Sequence, residues 1–297
     1  DNHRGINPTA TINNATLNLT GDLGVGRAYL NITGNSTITA DRIGGGGMTG
    51  ISSADWGQIS IQDTANVTAT NGIVGGTTAW GINLNGGTLT TKGIEYGPHT
   101  FNGQTNLRFN GTLVKANQNN ANFITINGGP DSPSAPDIQA GGALLDTNGF
   151  DIGIQLALAG TGALTKSGNG ILTLSGSANS FNGGVTVNGG TMTLAKAENT
   201  DSIAAGNAVT VNSGAILKLG AGGQLHDAIT SLTLSAGTLD LGGFVEGINP
   251  VLTMNNATIT GTAGGFLLTR GGYAGDGTNT INKRLTTRAA DPNSGRF

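Results

Sequence analysis

The sequence predicts an all-β chain wound as a right-handed parallel β-helix of about a dozen coils, each 20–25 residues long. Three observations carry that expectation. Apolar–polar–apolar triplets recur at a steady beat, Gly and Asn pairs sit between them, and helix-forming runs are missing. From the first apolar residue of each triplet, Leu172 to Val185 is 13 residues, Val185 to Met192 is 7, Met192 to Val209 is 17 and Val209 to Leu217 is 8. The series runs on through Leu232, Leu239, Leu252 and Ile259. Leu30, Ile38, Ile59, Val67, Ile82 and Leu89 echo it in the N-terminal half.

Within each triplet the alternation has period two, as in Ile171-Leu172-Thr173-Leu174 and Val185-Thr186-Val187, so Leu or Val faces inward while Thr or Asn faces outward. Corners follow at Asn85-Gly86-Gly87 and Asn188-Gly189-Gly190, whose residue types tolerate the positive φ of tight turns. A hairpin stack uses similar corners, but two strands per 20-odd residues suits coils that bury their apolar face only against neighbouring coils. Stacked at roughly 4.8 Å, coils from Leu17 to Ile259 make a rod on the order of 60 Å long. The chain therefore divides into an N-terminal segment 1–10, one β-helix domain 11–280 with loop insertions at 41–58 and 128–137, and a polar tail 281–297.

Composition agrees: Gly is 53 of 297 residues, aromatics are 4% and charged residues 10%, as thin strands and many turns require. Without cysteine, neither disulfides nor thiolate metal sites hold the chain. The apolar stretch Phe150 to Ala159 is short and broken by Asp151, Gly153 and Gln155, so no membrane-spanning helix is expected. A net charge of −3 supplies no basic stripe for nucleic acid, and Lys283, Arg284 and Arg288 read as a solvated tail. The chain opens on Asp1 with no leader-like segment, which suggests a portion of a longer precursor.

The stretch GTGALTKSGNGILTLSGSANSFNGGVTVNGGTMTLA at residues 160–194 resembles the autotransporter-associated β-strand repeat of bacterial surface and secreted proteins. Leu164, Thr165, Lys166 and Ser167 fill its first segment, Leu172 to Gly176 its second, and Gly183 to Thr191 its close. Phe181 stands where the repeat commonly has tyrosine. Looser copies lie at INLNGGTLTT, 82–91, and SLTLSAGTLDLGG, 231–243. The resemblance implies an extracellular β-helical passenger, adhesive or structural and noncatalytic.

Catalysis is the alternative, because β-helices also host polysaccharide lyases and hydrolases that need clustered carboxylates. Asp146 and Asp151, flanking the Asn148-Gly149 corner, are the best acidic pair; Asp55 with Asp63 and Asp131 with Asp137 are weaker. His3, His99 and His226 are scattered, and His226-Asp227 reads as a loop pair. A phosphate-binding loop fails at Thr165, which stands where Gly must precede Lys166. Gly271 to Gly277 has the outline of a calcium nonapeptide, but Ala274 breaks it and no tandem copy follows. No cofactor is expected.

Recognition is expected where the beat lapses. Trp56, Trp80 and Tyr96 are candidates for a sugar-stacking platform, the mark of a monomeric glycan-binding module. Pro130, Pro133 and Pro136, at every third position, outline a stiff spur. Open rod ends point to a homo-oligomer or fibre built by strand addition, with a polysaccharide or cell-surface ligand as the other partner.

Overall fold

The structure is a computed structural model and describes residues 8–45, 57–75, 80–97, 107–126 and 135–287. Among them there is no helix, and every strand pairing is parallel. The chain is a β-solenoid of about eleven turns.

Each coil has three faces. The first is built by Thr9–Asn13, Tyr29–Thr33, the opening halves of Gly57–Ala69 and Trp80–Thr91, Leu107–Phe109, Asp137–Ile138 and Ala159–Gly160. The second runs from Thr16–Asn18 through Val185–Val187 to Tyr273–Asp276. The third is a 12-stranded sheet from Leu23–Gly24 to Thr280–Ile281. Gly57–Ala69 and Trp80–Thr91 turn the corner between the first two faces as continuous strands, which joins those faces into one 17-stranded sheet.

Register places like on like. On the third face Leu172, Met192, Leu217, Leu239 and Ile259 stack in one inward row, each 1% exposed or less. On the second, Leu164, Val185, Val209, Leu232 and Leu252 do the same. Each such side chain contributes roughly 1.5–3 kcal/mol by leaving water, and the several dozen in the core replace any large aromatic cluster. Corners are shaped by left-handed residues such as Asn148 (φ 52°) and Gly149 (φ 88°).

The beat read from the sequence belongs to different faces in the two halves. Leu30, Ile59 and Ile82 stack on the first face and Ile38, Val67 and Leu89 on the second. From Leu172 onward the paired triplets lie on the second and third faces. The third-face strands of the early coils, Ile43–Gly44 and Ile73–Val74, are too short to show a triplet. Between residues 179 and 226 the first face narrows to a bridge between Ile203 and Leu225, before Val245–Ile248 and Phe266–Thr269 restore it.

The regular stack also reaches past the boundaries drawn from the sequence. Thr9–Asn13 pairs with Tyr29–Thr33, and Arg284–Thr287, inside the supposed tail, pairs with Phe266–Thr269. Most of the two loop insertions lies outside the described residues, although Ile43–Gly44 within the first is an ordinary third-face strand.

Candidate functional site

The two described members of the expected aromatic platform lie inside the coils. Trp80 and Tyr96 are both fully buried, so neither ring offers a face to a ligand. Gly45 and Gly57 pass close over the Trp80 indole: a β-carbon at either position would come within 2.4 or 2.9 Å of Nε1. That N–H has no partner among the described residues. Burial pushes the Tyr96 phenol well above its ordinary range. Pro136 is buried and its carbonyl accepts the Ala159 N–H at 3.0 Å, as part of the first face. Trp56, Pro130 and Pro133 lie outside the described residues.

The candidate carboxylates among the described residues are occupied with shaping corners, whereas Asp55, Asp131, His3 and His99 lie outside the described residues. Asp146 accepts the Asn148 N–H at 2.7 Å and lies 4.0 Å from Lys115 Nζ, while Asp151 accepts the Ile171 N–H at 3.0 Å from the next coil. Asp63 accepts the Gly34 N–H at 2.9 Å, and Asp137 accepts from Gln139. His226 Nδ1 accepts the Ala228 N–H at 2.9 Å, a local turn. Asp276, in the glycine-rich stretch, accepts the N–H of Gly277. Among the described residues, no group of three or more His, Asp or Glu gathers closely enough to hold a metal ion.

Three buried ionisable groups escaped the sequence reading. Lys166 occupies an inward position, stacked between Leu145 and Val187, and is fully buried. Its ammonium donates to Thr147 Oγ1 (2.9 Å) and to the carbonyls of Ser167 (2.9 Å) and Gly168 (2.6 Å), tying down a corner. Lys196, 2% exposed, donates to the carbonyls of Ser175 and Ser177. Burial pulls both amines down to about 8, with Asp146 and Asp151 partly opposing it at Lys166.

Glu246, 1% exposed, ends a polar ladder that climbs the inside of the first face. Asn179 accepts the Leu158 N–H and donates to the Ser202 carbonyl, the Ser202 hydroxyl donates to Gln224 Oε1, and Glu246 accepts the N–H groups of Gln224 and Leu225. A third bond comes from the Gly247 N–H. Burial nevertheless dominates, pushing the Glu246 carboxyl up to about 8. A period-two inward position occupied by Lys was the only trace of this network in the sequence.

Hollows interrupt the rod, among them a shallow one near its C-terminal end beside Phe266 and Arg284 and two farther from that end. One, of about 320 Å³, lies beside the ladder and is lined by Glu198, Asp201, Asp227 and Glu246 with the edge of Phe244. The other, of about 420 Å³, opens on the third face between Asn119–Ala121, Asp151–Gly153, Gln155, Thr173 and Ser175. Between them and around them the second face is plain. Thr165, Thr186, Thr210, Thr233 and Thr253 stand in register on five consecutive coils, with no hydroxyl bonded among the described residues. Asn212 donates to Asn188 in the adjoining row at 2.7 Å.

A family model described as the passenger-associated-transport-repeat matches residues 164–194, the coil that contains Lys166. Over 95% of its length the chain is 30% identical to a protein named adhesin BmaC autotransporter, from Brucella suis biovar 1 (strain 1330). The aligned region is 8% of that much longer relative. No solved structure matches the chain. Repeat, relative and parallel coils agree, and the chain is autotransporter passenger-like, a β-solenoid with a passenger-associated repeat at its centre.

Proposed function

We propose that this chain is a noncatalytic, extracellular adhesive solenoid. The observation that carries the reading is the charge-free threonine row of the second face, five coils long with its hydroxyls unengaged, on a chain similar to an autotransporter adhesin. Spaced by roughly 4.8 Å, such groups make individually weak contacts that add along a stiff rod and across copies. The corner bonds of Asp146 and Asp151 favour this reading over a depolymerase.

Folded chain immobilised on beads should bind cells or extracellular matrix saturably, and heat-unfolded chain should not. Equal retention of both would sink the adhesive reading. Release of reducing ends from a polysaccharide panel, abolished by Asp146→Asn, would establish catalysis instead.

The same reading includes assembly. Thr9–Asn13 at one end and Tyr273–Asp276 with Arg284–Thr287 at the other are largely exposed strands that pair on one edge only among the described residues, and further coils or another copy can extend them. Sedimentation velocity should show species that grow with concentration; a single monomeric boundary at all concentrations would remove self-assembly from the proposal.

A further inference from the structure

The most irregular pairing in the solenoid builds the third-face hollow. Asn120 pairs with Ile152 and Ile124 with Ile154, so three residues, Ala121 to Phe123, oppose the single Gly153. The strand Asn120–Ile126 therefore bows outward as a ledge over Gly153. A side chain at 153 has no room, since a β-carbon would stand 2.4 Å from the Ala121 carbonyl oxygen. The outward row that carries Thr173 and Thr193 on the next coils holds no side chain at this point, where the Ala121 carbonyl covers the buried Gly153, and the hollow opens beside that ledge.

The rim is held in place from several directions. Gln155 Nε2 donates to Asn122 Oδ1 at 2.6 Å, Asn120 Nδ2 donates to the Lys92 carbonyl at 2.8 Å, and the Asp151 N–H donates to Asn119 Oδ1 at 2.9 Å. Asn120 is engaged at both ends, since its Oδ1 also accepts the Asn122 N–H at 2.9 Å, but the other polar groups are used at one end. Asn119 Nδ2, Asp151 Oδ2, Gln155 Oε1 and the hydroxyls of Thr173 and Ser175 make no hydrogen bond among the described residues.

We infer that this hollow is a binding site for a neutral saccharide. Two hydroxyls, an amide donor, an amide acceptor and a carboxylate oxygen around a shallow cleft match vicinal sugar hydroxyls, each of which donates and accepts. The lining holds one charge, Asp151, and no cation, which disfavours uronates and phosphorylated ligands. Ile152 is buried and Ala121 is small, so there is no apolar wall for a lipid. A hollow of about 420 Å³ falls within the range of small-ligand sites. The site rests on the adhesive reading and gives it a ligand class.

The test is calorimetric titration of the full chain with lactose, cellobiose and N,N′-diacetylchitobiose, with glucuronic acid and glucose 6-phosphate as anionic probes. At least one neutral disaccharide should saturate, and both anions should bind at least tenfold more weakly. The double variant Thr173→Val, Ser175→Ala, altered only at outward positions, should lose at least tenfold in affinity while its unfolding midpoint is unchanged. Thr193→Val, one coil beyond the hollow, should bind as the parent does. No binding by any neutral probe, equal binding by the double variant, or equal binding of the anions overturns the site. Bead adhesion that persists in the double variant overturns the hollow as the adhesive contact and leaves the adhesive reading standing; loss of adhesion by the folded parent does the reverse.

Discussion

Lys166 shows how one buried charge shapes a coil. Its place in an inward row would ordinarily hold Leu or Val, and its ammonium instead meets two carbonyls and a hydroxyl at the corner. Thr147 is the key partner, since its Oγ1 accepts from both Lys166 and the Gly170 N–H and donates to the Ser167 carbonyl. Thr147→Val should lower stability by about 1–3 kcal/mol, because the Gly170 N–H is left without its partner and the Lys166 ammonium keeps two acceptors of three; urea denaturation would read it.

The same buried groups set a pH dependence. Glu246 titrates at about 8 in the fold against 4.5 when exposed, so between those values the folded chain holds a proton that the unfolded chain has released. Stability should fall as pH rises from 4.5 to 8. Lys166 and Lys196 titrate at about 8 in the fold against 10.5, so from 8 to 10.5 the unfolded chain holds the extra protons and stability should rise. Chemical denaturation across this range should show a minimum near pH 8. Glu246→Gln should flatten the acid limb only, and Lys166→Met with Lys196→Met the alkaline limb only.

Strands here are short, and what gives them stability is the neighbour above and below. Leu172→Ala opens a void between Ile152 and Met192 and should cost about 2–5 kcal/mol. Where the first face has no regular strand, side chains replace the ladder. Asn179 satisfies the Leu158 N–H and the Ser202 carbonyl across two coil boundaries, and Asn179→Leu should cost about 2–3 kcal/mol by orphaning both. Thermal unfolding of the two variants compares an apolar row with a polar ladder directly. The triplets of the strong faces were legible because each is an unbroken alternation. The first face from 179 to 226 was not, since its order lies in hydrogen bonds between residues 21–23 apart that leave no local pattern.

Along the rod every strand pairing joins adjacent coils, so stability should vary with position. Gly57–Ala69 and Trp80–Thr91 pair over nearly their full lengths and have further coils on both sides, whereas Thr9–Asn13 and Tyr273–Asp276 are mostly exposed and, among the described residues, paired on one edge only. Hydrogen exchange should be slowest in peptides covering 57–91 and fastest in those covering 9–13 and 273–281, with a gradient between. Uniform protection from end to end would mean that the coils unfold as one unit.

Periodicity alone was enough to identify parallel coils, their length and their inward rows, because alternation and return distance are properties of the chain order. The repeat at 164–194 was equally visible, as its residues are contiguous. Which face each triplet occupies was decided only by stacking, since a gap of seven or eight residues turns either corner equally well. Burial of Trp80 and Tyr96, and of three ionisable groups, was likewise settled by the coils above and below them. The saccharide hollow depends on a ledge at 121–123 meeting a glycine thirty residues later, a coincidence in space that no local spacing records.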